Sequence, residues 1–276
     1  MRTVVLLDNG SSRAESTLSL RRLASALAER VGEQVHPVSL LHASRVPAGD
    51  LGGRPADTLE PFLRRRVAEG ARDFLILPLF FGRSGALTGF IPDKAEAVRR
   101  DSGSFSLGLA DVLCPLPEGE PRLGRILADN VRRIARDRGL DPRRVVLVDH
   151  GSPLPEVNQV RRVLAEHLRE DFGSRTALEE AVMERRAGRE YDFNGELLAD
   201  ALRGLALADR EGPVILSMLF LSPGRHAGTG GDIEEIRTRA EQEFPGFRVF
   251  PTSLVGAHPG LVDILESRYR RAVQAA

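Results

Sequence analysis

Residues 145–152 read VVLVDHGS, and the fold of the chain follows from this stretch. Four aliphatic residues in succession, too few for a helix core and closed by a glycine turn, predict a strand buried on both faces in a parallel sheet. Asp149, His150, Gly151 and Ser152 then fall at the carboxyl end of that strand, where open α/β sheets gather their ligands. Residues 4–11 read VVLLDNGS, the same pattern with Asn9 where His150 stands.

Outward from these two strands the chain repeats itself. His150 lies 141 positions after Asn9, and the buried run VILSMLFL (214–221) begins 140 positions after FLILPLFF (74–81). Between the strands, helical spacing of apolar residues predicts helices over 16–31, 58–70, 93–100, 123–138, 157–170, 194–207, 233–244 and 261–273. Further strands are predicted over 34–41, 105–112, 177–183 and 247–253. Two β-α-β-α-β halves imply parallel sheets with right-handed crossovers. The expected fold is a duplicated α/β architecture of two Rossmann-like halves, each a parallel sheet flanked by helices, with a cleft between them. Residues 115–122, with three prolines, form the natural boundary, giving domains 1–118 and 119–276.

Composition limits the function. Lys+Arg and Asp+Glu are both 39, a formal net charge of zero, and no basic stripe of a nucleic-acid binder is evident. Lys94 is the sole lysine, so arginine carries nearly all positive charge. Cys114 stands alone, which excludes a disulfide framework and a thiolate metal cluster. The chain starts straight into a strand without a signal-peptide pattern, and no long apolar run predicts a membrane span. A soluble, cytoplasmic protein is expected.

The chemistry concentrates in the second half. The loop DHGS follows one strand, and LFLSPGRHAGTGGDI (219–233) continues another that should lie beside it. His150 and His226 would then face one pocket, and paired imidazoles suit a borderline divalent metal such as cobalt, iron or nickel. Glu184, just after the strand at 177–183, offers a third ligand or a proton acceptor. Taken singly, a histidine after a strand is more often a hydrogen-bonded loop residue than a ligand. Gly228–Gly231 lacks the spacing and the Lys-Ser/Thr of a phosphate loop, and HGS lacks the G-x-S-x-G elbow of a serine hydrolase. The repeat shifts the balance: Asn9 replaces His150, and the loop GRSGAL (82–87) has no histidine to match His226. Both histidines are missing together from the first half, as expected if one copy retains a site. His42 falls 142 positions before Glu184 and is taken as its counterpart. His36 and His167 read as surface or packing residues, and His258 as structural.

DHGSP (149–153), LFLSPGRHAGTGGDI and the later Gly-Ala-His-Pro (256–259) resemble the class II tetrapyrrole chelatases, the family of sirohydrochlorin cobaltochelatase and ferrochelatase. The resemblance implies two chelatase-like halves and insertion of a divalent metal, cobalt or iron, into sirohydrochlorin or a related tetrapyrrole, in cobalamin or sirohaem biosynthesis. It implies neither ATP nor an organic cofactor. His150, Glu184 and His226 would be both metal ligands and catalytic residues, in the second half. Ser152, Arg225 and Gly228 would contact the macrocycle, Arg225 through its carboxylates, although an ordinary surface arginine is an equal reading. The segment between His226 and Asp232 is longer than the family pattern. A carrier of metal or tetrapyrrole is the alternative to the enzyme. The tetrapyrrole is the expected partner, with no nucleic acid or membrane, and the protein is expected to act as a monomer or homodimer.

Overall fold

Two consecutive buried runs per half, each followed by an amphipathic helix, fold as the sequence predicts. In a computed structural model that describes residues 2–275, the chain divides into two compact units. The first holds the residues up to Pro115 together with those from Pro259 onward, and the second holds Leu116–His258.

The first unit contains β1 (Thr3–Asp8), α1 (Ala14–Val31), β2 (Val35–Ser39), β3 (Asp57–Thr58), α2 (Leu59–Ala68), β4 (Asp73–Pro78), α3 (Ile91–Ser102) and β5 (Ser106–Leu109). The strands form one parallel sheet in the order β3-β2-β1-β4-β5. Val4, Val5, Leu6 and Leu7 are at most 1% exposed, as a central strand covered on both faces requires. Phe62, Leu63, Phe74, Ile76, Ile91 and Val98 belong to the core on one face of the sheet.

In the second unit, α4 (Pro121–Arg138) precedes β6 (Arg144–Asp149), α5 (Pro155–Phe172), β7 (Ala177–Val182), β8 (Glu196–Leu197), α6 (Leu198–Ala208), β9 (Val214–Met218), α7 (Asp232–Glu243) and β10 (Val249–Pro251). The strand order β10-β9-β6-β7-β8 is that of the first sheet, strand for strand, read from the other edge. Val145–Val148 are completely buried. The two shortest strands, β3 and β8, were not predicted. Each is only two residues long and runs directly into a helix, so neither shows a periodicity. The helix expected from Asn194 begins at Leu198, because Arg189–Asn194 is a 3₁₀ turn and Glu196–Leu197 pairs with β7.

The last helix, α8 (Gly260–Gln274), departs from the expected division at 118/119. It follows β10 in sequence but packs with α1 and β4 in the first unit. Its buried residues Leu261, Ile264 and Leu265 require that partner, and buried Arg268 donates to the carbonyls of Val112 and Leu113 at 2.8 and 3.0 Å. α4 does the reciprocal: it follows β5 but packs with α5 and β9 in the second unit. There Asn130 donates to the Ser253 carbonyl. Each unit is thus completed by the helix that follows the other unit's last strand.

Candidate functional site

The hydrogen-bonded neighbours of β6 set the site. β9 lies on one side (Val145↔Ile215, Val148↔Met218) and β7 on the other (Arg144↔Ala177, Asp149↔Val182), all parallel. The segments after these three strands therefore leave the same sheet edge. They bring His150, Glu184 and His226 together. His150 Nε2 lies 3.1 Å from Glu184 Oε1, and the rings of His150 and His226 meet edge to face with centroids 4.5 Å apart.

The contacts of the imidazoles fix their chemistry. His150 Nδ1 lies 3.1 Å from the Gly151 carbonyl, which can only accept, so Nδ1 carries a proton. A ring neutral in this form turns its Nε2 lone pair toward a carboxylate oxygen, and this juxtaposition calls for a cation between them, a proton or a metal ion. Two atoms ligating one metal at about 2.1 Å each lie roughly 3.0–3.4 Å apart across angles of 90–110°, which the 3.1 Å pair meets. On His226, Nδ1 is 2.5 Å from Asp232 Oδ2, so Nδ1–H donates to this carboxylate and Nε2 is left free of it. The Glu184 side chain is 61% exposed and that of His150 44%, which leaves the pair open to solvent. Among the described residues, no three His, Cys, Asp or Glu side chains are grouped so as to hold a metal ion.

Local structure holds each ligand. Gly151 adopts φ +89°, and a Cβ there would stand 2.1 Å from the Glu184 carbonyl, so only glycine lets the two loops touch. The Glu184 amide donates to the His150 carbonyl, extending the ladder past β7. In the His226 loop, the amides of Asp232 and Ile233 donate to the carbonyls of Arg225 and His226, and that of Gly231 to Gly228. The extra residues form an excursion that closes on itself and returns Asp232 to His226. The long spacing therefore preserves the local geometry. A Cβ on Gly231 would sit 2.7 Å from the Arg225 carbonyl and one on Gly228 2.9 Å from that of Gly224, which explains the glycines.

The remaining predicted contacts lie nearby. The Ser152 hydroxyl accepts from the Leu154 amide at the start of α5. Gly228 belongs to the closed loop, and the Arg225 side chain is exposed. His258 is outside the cluster, 3.9 Å from Asp129, and burial lowers its pKa.

Three supporting residues escaped the sequence reading. Asp232 is one. The others are Arg161 and Asn194, both almost fully buried. Arg161 donates to Asp149 Oδ1 at 2.8 Å and to the Asn194 carbonyl at 2.7 Å. Burial raises the Asp149 pKa, and the Arg161 charge opposes this rise. Nothing in the sequence marks Arg161 except that it takes a buried face of α5, where an aliphatic residue is the norm.

In the first unit the corresponding positions carry no such cluster. The Leu41 amide donates to the Asn9 carbonyl as that of Glu184 does to His150, so Leu41, not His42, is the counterpart of Glu184. The offset of 142 misses by one residue.

The fold and site together define an α/β protein of two like units with a His–Glu–His cluster on the second. The CbiX family model matches residues 144–272. That match spans just under half of the chain, and the architecture of the whole is similar to that of the solved structures of SirB and CbiX. SirB from Bacillus subtilis with Fe3+ is similar over 99% of this chain and 96% of its own, with 15% identity and a TM-score of 0.69. The sirohydrochlorin chelatase SirB from Bacillus subtilis subspecies spizizenii, in complex with cobalt, matches at 15% identity over 99% and 95%, TM-score 0.67. CbiX, the terminal enzyme for siroheme biosynthesis in denitrifying bacteria, matches at 17% identity over 98% and 99%, TM-score 0.62. No curated protein matches the sequence.

Proposed function

We propose that the chain is a metal chelatase that inserts cobalt or iron, as a divalent ion, into sirohydrochlorin or a close tetrapyrrole relative. The reaction needs no ATP or organic cofactor, and we assign it to the cytoplasm and to a monomer or homodimer. The observation that carries the reading is the His150–Glu184 pair at 3.1 Å with the His226 ring against it, in the part of the chain that the CbiX family model matches. SirB with Fe3+ and with cobalt, and CbiX in siroheme biosynthesis, supply the substrate class. Among the described residues, no helix is long and apolar enough to cross a membrane.

His150 and His226 hold the metal substrate through Nε2, and Glu184 completes the open side. An ion with so few protein ligands can be passed to four pyrrole nitrogens. Two pyrrole protons leave as it enters, and the exposed Glu184 carboxylate accepts and releases them to solvent. Exposed Arg225 is placed to meet a substrate carboxylate. The first unit, 1–118 in the sequence division, contributes scaffold rather than a second metal site.

The test follows the visible spectrum of sirohydrochlorin with cobalt(II) or iron(II). The wild type should accelerate insertion, and His150→Ala and His226→Ala should each lose about 100-fold or more, with Glu184→Gln losing about tenfold or more. Tight stoichiometric binding of cobalt without any acceleration would establish the carrier instead.

A further inference from the structure

The turn that carries His150 is braced from below by groups that touch neither metal nor substrate. The Gly151 amide donates to Asp149 Oδ1 at 3.1 Å. Asn194 clasps the next peptide from both sides: the Ser152 amide donates to its Oδ1, and its Nδ2 donates to the Ser152 carbonyl, both at 2.9 Å. Arg161 joins the two braces, giving Nη1 to Asp149 and Nη2 to the Asn194 carbonyl, while Nε lies 3.4 Å from Glu180. Between the two clasped amides sits the Gly151 carbonyl, the group that takes the His150 Nδ1 proton.

The first unit shows the same turn without the brace. Asp8, like Asp149, is the last residue of the central strand, and Leu20 stands at the seventh position of α1 as Arg161 does of α5. Asp8 is buried and its Oδ1 has no hydrogen-bond partner. That turn carries Asn9, which needs no fixed tautomer.

We propose that Arg161 and Asn194 are positioning residues for the His150 site. Through Asp149 and the peptides of Gly151 and Ser152 they aim the Gly151 carbonyl at Nδ1, which keeps the proton there and the Nε2 lone pair directed at the incoming metal. The inference rests on His150 being a metal ligand, as proposed above, but its first readout does not.

Ring-nitrogen NMR of the full-length protein, labelled with ¹⁵N-histidine and recorded at a pH where the imidazoles are neutral, distinguishes the two neutral tautomers in the absence of metal. His150 is assigned by the loss of its signals in His150→Gln. The wild type should show the Nδ1–H form at His150. Asn194→Ala, and separately Arg161→Gln, should convert it to a mixture or to the Nε2–H form and leave His226 unchanged. Cobalt(II) alone, titrated into the same samples, should bind about tenfold or more weakly. Asn194→Ala keeps the Arg161–Asp149 pair, so it remains informative if Arg161→Gln fails to fold. An unchanged His150 tautomer in a folded Asn194→Ala protein would overturn the inference. A tautomer change with unaltered cobalt affinity would support the positioning and overturn the assignment of His150 as a ligand.

Discussion

A buried carboxylate is tolerated only at a cost that its neighbours set, and the two halves of this chain treat the same aspartate differently. Asp149 has a guanidinium at 2.8 Å, whereas Asp8 has only the Ser39 hydroxyl and the Gly10 amide, and burial pushes its pKa from 3.8 up to about 6. A carboxyl that holds its proton more tightly when folded favours the folded state only while it is protonated. Below about pH 4 both states of the chain keep the proton and Asp8 is neutral in its effect. As pH rises through 4–6 the unfolded chain ionises first, so stability falls, by up to about 3 kcal/mol, and the deficit is constant above pH 6. Asp8→Asn removes the ionisation and keeps an acceptor for Ser39 and Gly10. In urea unfolding, the variant should match the wild type near pH 4 and exceed it progressively up to pH 6–7. A difference that does not vary with pH would mean that burial does not shift the Asp8 pKa away from its unfolded value.

At the scale of the strand and its following turn, the repeat supplies its own control. Gly10 and Gly151 both have positive φ, +82° and +89°, and a Cβ on either would reach a carbonyl of the neighbouring loop, 1.9 Å from that of Leu41 or 2.1 Å from that of Glu184. Gly10→Ala and Gly151→Ala should each destabilise by several kcal/mol, roughly 2–5, because a side chain meets both a disfavoured backbone and a fixed carbonyl. Only Gly151→Ala should also abolish metal insertion in the protein that still folds, since it forces His150 from Glu184. Equal loss of activity in both variants would contradict a site confined to the second unit. These turns were legible in the sequence because a buried run ending in Asp-x-Gly-Ser occurs twice. The meeting of His150 with His226 was legible too, since β6 and β9 are the two long apolar runs of that half and pair directly. Asp232 was hidden because its approach to His226 depends on a loop closing through backbone bonds, which linear spacing does not encode. Arg161 was hidden because a charged residue on a helix ordinarily faces water, and only the buried Asp149 beside it makes the interior position stable.

For the whole molecule, the decisive feature is that the first half of the sequence does not form a complete unit: the first unit takes its last helix from the end of the chain. Composition and turn residues located the change of unit near Pro115, but the membership of α8 depends on which sheet accepts its apolar side, and this is a tertiary fact. The helices α4 and α8 each follow the last strand of the other unit and supply a buried donor to carbonyls beyond the last strand of the unit they join: Asn130 to Ser253 in one, Arg268 to Val112 and Leu113 in the other. Arg268→Met retains the apolar stem and deletes the donors, leaving two carbonyls unmet in the interior. We expect a loss of about 2–4 kcal/mol, borne by the first unit. Since unfolding of two units need not be a single step, hydrogen exchange is the appropriate measurement. Protection should fall across β1, β4 and α1, although α8 lies more than 150 residues further along the chain than any of them. The strands β6, β7 and β9 should keep their protection, and cobalt(II) affinity should stay within about twofold of wild type, because every proposed ligand and brace lies in the second unit. Loss of protection in β6 and β9 together with β1 and β4 would show instead that the two units unfold as one.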